Sequence, residues 1–143
     1  MTVREMTCDD LSEVVRIENE NFTMPWSRQS FEDSLAKDYN IYLVVEEEGK
    51  IAGYCGMLLT PFEGQINNVC VDVDFRHRGV GYKMLGTLLE QGRKRGISEF
   101  TLEVRQSNSN AIALYEKLGF KNEGVRKDFY DMPKEDAVIM WIR

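Results

Sequence analysis

Residues 69–89 constrain this chain more than any other stretch. Val69, Val71 and Val73 alternate with polar or small residues, the pattern of a strand with one buried face. A short basic turn follows, Arg76-His77-Arg78-Gly79-Val80-Gly81. From Val80 onward the apolar residues Val80, Met84, Leu85, Leu88 and Leu89 fall at helical spacing. The order is strand, glycine turn, helix. The first N–H groups of a helix have no intrahelical acceptor and sit at the positive end of its dipole. Glycines let a phosphate approach such a backbone closely. Arg76, Arg78 and Lys83 add charge. The stretch reads as a pyrophosphate cradle; the plainer reading is a surface turn with solvated arginines.

Two widespread cradles are excluded. A P-loop needs G-x-x-x-x-G-K-[ST], which is absent. A dinucleotide fingerprint needs G-x-G-x-x-G, and Met84 stands at the third glycine. What remains is R-x-x-G-x-G, Arg76 to Gly81.

A length of 143 residues suits one domain, expected to span 1–143. No apolar run approaches the ~20 residues of a membrane-spanning helix. Met1-Thr2-Val3-Arg4-Glu5 does not read as a signal peptide. A cytoplasmic protein without membrane association is expected. Cys8, Cys55 and Cys70 form no C-x-x-C, so neither a metal site nor a disulfide is expected. Cys55 and Cys70 lie in strand patterns and read as small core residues. The only histidine, His77, falls in the cradle. A net charge of −6 argues against nonspecific nucleic-acid binding. Arg76, Arg78, Lys83, Arg93, Lys94 and Arg95 cluster in sequence around the cradle and its helix. Asp9, Asp10, Glu13, Glu18, Glu20, Glu32 and Asp33 crowd the first forty positions. A basic side for an anionic cofactor and an acidic side for a cationic substrate would fit; solvated helix faces would fit too.

The rest of the chain alternates in type. Strands are expected at Thr2–Met6, Ile41–Glu46, Ile51–Leu59, Gln65–Val73, Glu99–Arg105, Phe120–Asp131 and Ala137–Arg143. Thr7 or Asp9 is expected to cap a helix reaching about Asn21, and Ser27 a second one. The cradle helix should end near Gly96, and Asn110–Leu118 forms a fourth helix stopped by Gly119. The fold class is α/β: one mixed, mostly antiparallel sheet of about seven strands with helices on both faces.

In the strand ending at Arg105, Phe100, Leu102 and Val104 share one face. Glu103 therefore leaves the core-facing row; alone it reads as an exposed strand carboxylate. Tyr115, on the next helix, reads alone as a packed ring. Asn108 reads as a cap or turn residue.

Leu102-Glu103-Val104-Arg105-Gln106-Ser107-Asn108 and Ala111-Ile112-Ala113-Leu114-Tyr115-Glu116-Lys117-Leu118-Gly119-Phe120 complete a second motif at the right distance from the first. Together the two resemble the GCN5-related N-acetyltransferase (GNAT) family. Within it they look most like the protein N-terminal acetyltransferases of the bacterial ribosomal-protein-alanine (RimI) type. The resemblance implies acetyl-CoA as cosubstrate and no metal. It implies Glu103 as general base and Tyr115 as general acid. Val69, Cys70 and Val71 would hold the pantetheine arm, and Asn108 would contact CoA. The segment His77, Arg78, Gly79, Val80, Gly81 and Tyr82 would hold the pyrophosphate. Trp26, in Met24-Pro25-Trp26, and Tyr130, in Phe129-Tyr130, would flank the acceptor peptide. Alone, Trp26 and Phe129 read equally as core covers. His77 and Tyr82 depart from the family, which often has more basic or small residues there.

The resemblance implies transfer of acetyl to the N-terminal alanine of the eighteenth small-subunit ribosomal protein, by direct attack in a ternary complex. An α-amino group has a pKa near 8, so about a tenth is neutral at pH 7. A carboxylate acting directly or through water can remove the proton. The alternatives are acetylation of a small amine, such as a polyamine or antibiotic, and a non-catalytic acyl-CoA-binding module. Intact Glu103 and Tyr115 speak against the module.

Overall fold

The computed structural model describes residues 1–143. The elements run β1 (Thr2–Glu5), a 3-10 turn (Cys8–Asp10), α1 (Leu11–Asn21), α2 (Arg28–Leu35), β2 (Asn40–Glu47), β3 (Lys50–Leu59) and β4 (Gly64–Val71). A second 3-10 turn (Val73–Phe75), α3 (Val80–Lys94), β5 (Phe100–Arg105), α4 (Ser109–Lys117), β6 (Lys121–Asp131) and β7 (Lys134–Ile142) complete the chain.

Local chemistry sets these boundaries. Leu11, Val14, Ile17 and Glu18 form the buried stripe of α1. Thr7, one of the two expected caps, is the N-cap of the 3-10 turn that runs straight into α1, where it forms a capping box with Asp10. The Asp10 carboxylate accepts the Thr7 amide at 2.8 Å and both ends of the Arg4 guanidinium at 2.7 and 2.9 Å. Ser27 caps α2 as expected, accepting the Ser30 amide at 3.1 Å. Gly96 closes the turn after α3 with φ 88°, a left-handed conformation that suits glycine. The fourth strand is shorter than its valine pattern suggests. Asp72 carbonyl accepts the Phe75 amide at 2.9 Å, so the chain curls after Val71 and leaves Val73 60% exposed.

The seven strands lie in the order β1-β2-β3-β4-β5-β7-β6. Every neighbouring pair is antiparallel except β4 and β5. That parallel pairing runs only from Gly64↔Phe100 to Ile66↔Leu102. The β3–β4 register shifts between Gly56 and Met57, leaving Asn67 as an extra residue in β4. A bulge bends and twists its strand. Beyond Ile66, β4 and β5 have no further paired positions.

Helices cover both faces. On one face Met84, Leu85 and Leu88 of α3 pack with Leu43, Cys55, Met57, Phe100, Leu102 and Met140, and Tyr115 of α4 joins them. On the other, Leu11, Val14 and Ile17 of α1 and Phe31 of α2 pack with Tyr42, Val44, Tyr54 and Cys70. Each such buried side chain stabilises the fold by roughly 1.5–3 kcal/mol.

The expected charge layout is corrected. Arg93, Lys94 and Arg95 stand at the far end of α3, about 1.5 Å per residue away from the cradle. There Arg93 lies over the Phe100 ring, Lys94 pairs with Glu90 and Arg95 donates to the Asp38 carbonyl. The acidic N-terminal residues do not form a free field either. Arg4 pairs with Asp10 and Glu46, Arg16 with Glu13, Glu20 and Asp72, and Arg28 with Glu32.

Candidate active site

A cleft of about 540 Å³ runs between β4, the turn before α3, and α4. Its floor is a helix start without acceptors. The amides of His77, Arg78, Gly79, Val80, Gly81 and Tyr82 donate to no protein atom, and the first bonded amide is Lys83, to the Gly79 carbonyl at 3.1 Å. His77 and Gly79 both have left-handed φ, 65° and 79°. Such a curled run of amides at a helix start forms an anion-binding concavity. The arrangement fits the pyrophosphate of a CoA-type ligand. Gly81 serves packing as well: a Cβ there would lie 2.9 Å from Leu114 Cδ2 and 3.7 Å from Val71 Cγ2. Arg78 is the exception among the cradle residues. Its guanidinium lies 5.3 Å from the Phe75 ring centre and its side chain does not line the cleft.

The wall beside the cradle is the free edge of β4. The Asp72 amide donates to the Ala52 carbonyl of β3 at 2.8 Å. By antiparallel alternation the amides of Val69 and Val71 point the other way, into the opening beside β5. Arg76 confirms this direction, since its Nε donates to the Val71 carbonyl at 3.3 Å. Cys70 also lines the cleft, but its side chain packs into the core on the α1 side of the sheet, and burial pushes its thiol up to about 11. Burial pushes the Cys55 thiol higher still. Neither is a thiolate at neutral pH, and only thiolates are good nucleophiles.

Tyr115 closes the inner end of the cleft. The residue is 6% exposed and its ring meets Phe120 edge-on, with centres 6.0 Å apart. Its hydroxyl makes no protein hydrogen bond and is not a sealed, orphaned atom, so it opens to the cleft. Burial first, then the neighbouring Tyr130 hydroxyl, holds its pKa above the usual tyrosine value. It therefore keeps its proton at neutral pH, as a proton donor must. Asn108 lines the cleft and caps α4, accepting the Ala111 amide at 3.2 Å.

Glu103 stands across the β4–β5 opening, on the face turned from Leu102 and the α3 core. Its Oε1 lies 3.6 Å from Arg126 Nη1 of β6. Its Oε2 is buried and has no partner. A buried polar atom without a partner costs roughly 1–3 kcal/mol, a cost that a reactant or water would relieve. Tyr130 neighbours it: burial first and the Glu103 charge second raise the Tyr130 pKa. Arg105 lies over the Tyr130 ring at 4.3 Å and is itself fixed by the Pro133 carbonyl at 2.8 Å.

Two arms border this face. One is the loop between α1 and α2, carrying Trp26; the other is the β6–β7 hairpin, carrying Tyr130. The Thr23 hydroxyl donates to the Met132 carbonyl and joins them. Exposed Phe22 and Met24 lie on the first arm, exposed Phe129 and Met132 on the second. Trp26 packs on Phe31, with ring centres 5.3 Å apart, so it also covers core. Two functional-looking groups escape the sequence motifs. Arg126 is the cation facing Glu103, and Glu18 is a carboxylate buried in α1. A carboxylate in the apolar stripe of α1 was the available signal for Glu18.

Comparisons with known proteins agree with this geometry. The family model "Acetyltransferase (GNAT) family" matches residues 11–120. A Bacillus subtilis protein is 37% identical over 141 residues, covering 98% of this chain and 93% of its own length. An Escherichia coli relative, [Ribosomal protein bS18]-alanine N-acetyltransferase, is 33% identical over 141 residues, covering 97% of this chain and 95% of its own. The crystal structure of the ribosomal-protein-S18-alanine N-acetyltransferase from Escherichia coli superimposes with TM-score 0.90 at 32% identity, covering 99% of this chain and 92% of that one. The matching family model and the named relatives agree on the class, an acyltransferase. The chain belongs to the GNAT acetyltransferase family.

Proposed function

We propose that this chain, working as one domain over 1–143, transfers acetyl from acetyl-CoA to the N-terminal alanine of ribosomal protein bS18 in the cytoplasm. Names carried by full-length relatives support the acceptor. One structural observation carries the reading. The unpaired amides from His77 to Tyr82 and the open Tyr115 hydroxyl share one cleft, and Glu103 stands on β5 one residue past its last pairing with β4.

Bound in the cleft, acetyl-CoA supplies the acetyl group as an activated thioester. The amides of the cradle hold its pyrophosphate, and the free edge at Val69 and Val71 holds its arm. Val69 and Val71 amides face the opening, where they stabilise charge on a carbonyl oxygen. Glu103, directly or through a water at Oε2, takes a proton from the acceptor ammonium. The neutral amine attacks the thioester carbon, the C–S bond breaks as Tyr115 delivers its proton to the departing sulfur, and the second nitrogen-bound proton leaves to solvent, from which Tyr115 is reprotonated. The two arms, with Trp26 and Tyr130, flank the acceptor chain.

The test is acetyl-CoA turnover with peptides that differ only in their first residue, beside a panel of polyamines and aminoglycosides. Selective turnover of the alanine peptide of bS18 is expected. Preferential turnover of a small amine, or none with any acceptor, would overturn the reading.

A further inference from the structure

Glu18 is 4% exposed on the penultimate turn of α1, among residues that are otherwise apolar on that face. It takes part in no ion pair, unlike Glu13 and Glu20 on the same helix. Both of its oxygens are nevertheless used. Oε1 accepts the Tyr54 hydroxyl of β3, and Oε2 accepts the Trp26 amide at 2.9 Å. Trp26 is the only residue from Thr23 to Gln29 whose amide has a protein acceptor. The α1–α2 loop thus has two polar ties: Glu18 to its backbone, and Thr23 to the β6–β7 hairpin.

A buried carboxylate costs free energy that an apolar residue at position 18 would avoid. What the carboxylate supplies is two acceptors at one point, able to join a strand hydroxyl to a loop amide. The join fixes the loop arm of the acceptor face relative to β3, whose other neighbour, β4, carries the donor-binding edge. We infer that Glu18 is a positioning residue for the acceptor: it holds the α1–α2 loop, and through it the acceptor peptide, in line with the reacting centre. The inference rests on the acceptor assignment made above.

The chemistry of the tie predicts a graded series. In Glu18→Gln the amide oxygen accepts the Trp26 N–H and the NH2 donates to the Tyr54 oxygen, so both links survive. In Glu18→Ala both are lost. In Tyr54→Phe the carboxylate keeps the loop but loses its brace.

The experiment measures KM for the bS18-type peptide and for acetyl-CoA separately, with a melting curve for each variant and amide exchange at Trp26 by NMR. Glu18→Ala loses both links and should raise the peptide KM about tenfold, the scale of the one charged hydrogen bond that holds the loop, and leave the acetyl-CoA KM in place. Tyr54→Phe should move the peptide KM the same way by a smaller factor, and it reports even where Glu18→Ala does not fold. Glu18→Gln should restore the wild-type split. Trp26 amide protection should fall in Glu18→Ala and persist in Glu18→Gln.

Unchanged peptide KM in folded Glu18→Ala overturns the inference. So does a parallel rise in both KM values, which would mark general loosening. Glu18→Gln as impaired as Glu18→Ala would assign the effect to charge and not to the tie. Loss of Trp26 protection without any peptide turnover in the wild type would instead refute the acceptor assignment and leave the tie standing.

Discussion

Replacing Glu103 by glutamine separates proton chemistry from folding. The Glu103 Oε1 faces Arg126 at 3.6 Å, and Arg126 is 55% exposed, so the pair contributes at most about 1 kcal/mol. Oε2 has no partner to lose. The melting temperature of Glu103→Gln should therefore stay within about 4 °C of wild type. The amide cannot accept a proton. Turnover near pH 7 should fall about 10²-fold or more, a loss of roughly 2.7 kcal/mol of transition-state stabilisation. An α-amino acceptor is about a tenth neutral at pH 7 and about nine-tenths neutral at pH 9. The variant should therefore regain close to tenfold across that range, and the wild type less. The assay is thiol release from acetyl-CoA at saturating alanine peptide, followed across the pH range beside a melting curve. Wild-type turnover at neutral pH in a folded Glu103→Gln protein would refute the base assignment. A deficit that stays constant at every pH would refute the reasoning about the amine.

Four further outcomes are expected. Tyr115→Phe removes a hydroxyl without protein partners, so folding and CoA affinity should hold while turnover falls about 10²-fold; full activity would place the proton donor elsewhere. Gly81→Val puts carbon 2.9 Å from Leu114, and the overpacking of about 1–3 kcal/mol falls on the contact between α3 and α4; calorimetry should show weaker CoA binding, and an unchanged affinity would remove the claim. The Cys55 and Cys70 thiols are held above the usual cysteine range by burial, so no acetyl-enzyme should form; a one-acetyl mass shift on either residue after incubation with acetyl-CoA would contradict this. The Arg4 guanidinium holds the Asp10 carboxyl below its ordinary value. Its stabilisation is present above the unfolded pKa of about 4 and is lost as pH falls through the lower folded value. Asp10→Asn should therefore flatten the acid limb of melting temperature against pH, and an identical limb would refute the linkage.

The parts legible in the sequence are those governed by neighbours along the chain. The cradle, α3, the Ser27 cap and the alternation that lifts Glu103 out of the core row each depend on a few consecutive residues. What was not legible depends on distance in space or on local hydrogen bonding that overrides a pattern. Val73 continues a valine alternation, yet the Asp72 turn takes it out of the strand. Arg93 to Arg95 look close to the cradle in sequence, but α3 carries them to its other end. The acidic N-terminal residues look like a substrate-attracting face, but Arg4, Arg16 and Arg28 answer most of them. The bulge at Asn67 and the short β4–β5 pairing have no composition of their own, and Glu18 finds its partners in β3 and in a loop.

The three parallel pairs from Gly64↔Phe100 to Ile66↔Leu102 are the only ladder joining strands β1–β4 to strands β5–β7. The cleft straddles this seam. Upstream of it lie the cradle amides, the free β4 edge and the α1–α2 loop with Trp26. Downstream lie Glu103, Tyr130 and the α4 wall of the cleft, which Asn108, Asn110, Ala111, Leu114, Tyr115 and Lys117 all line. Both halves of the chain thus build the one cleft, and the two joined arms beside it come one from each half. An engineer who exchanged the downstream half would replace one wall of the cleft along with the β6–β7 hairpin, and could not alter one without the other.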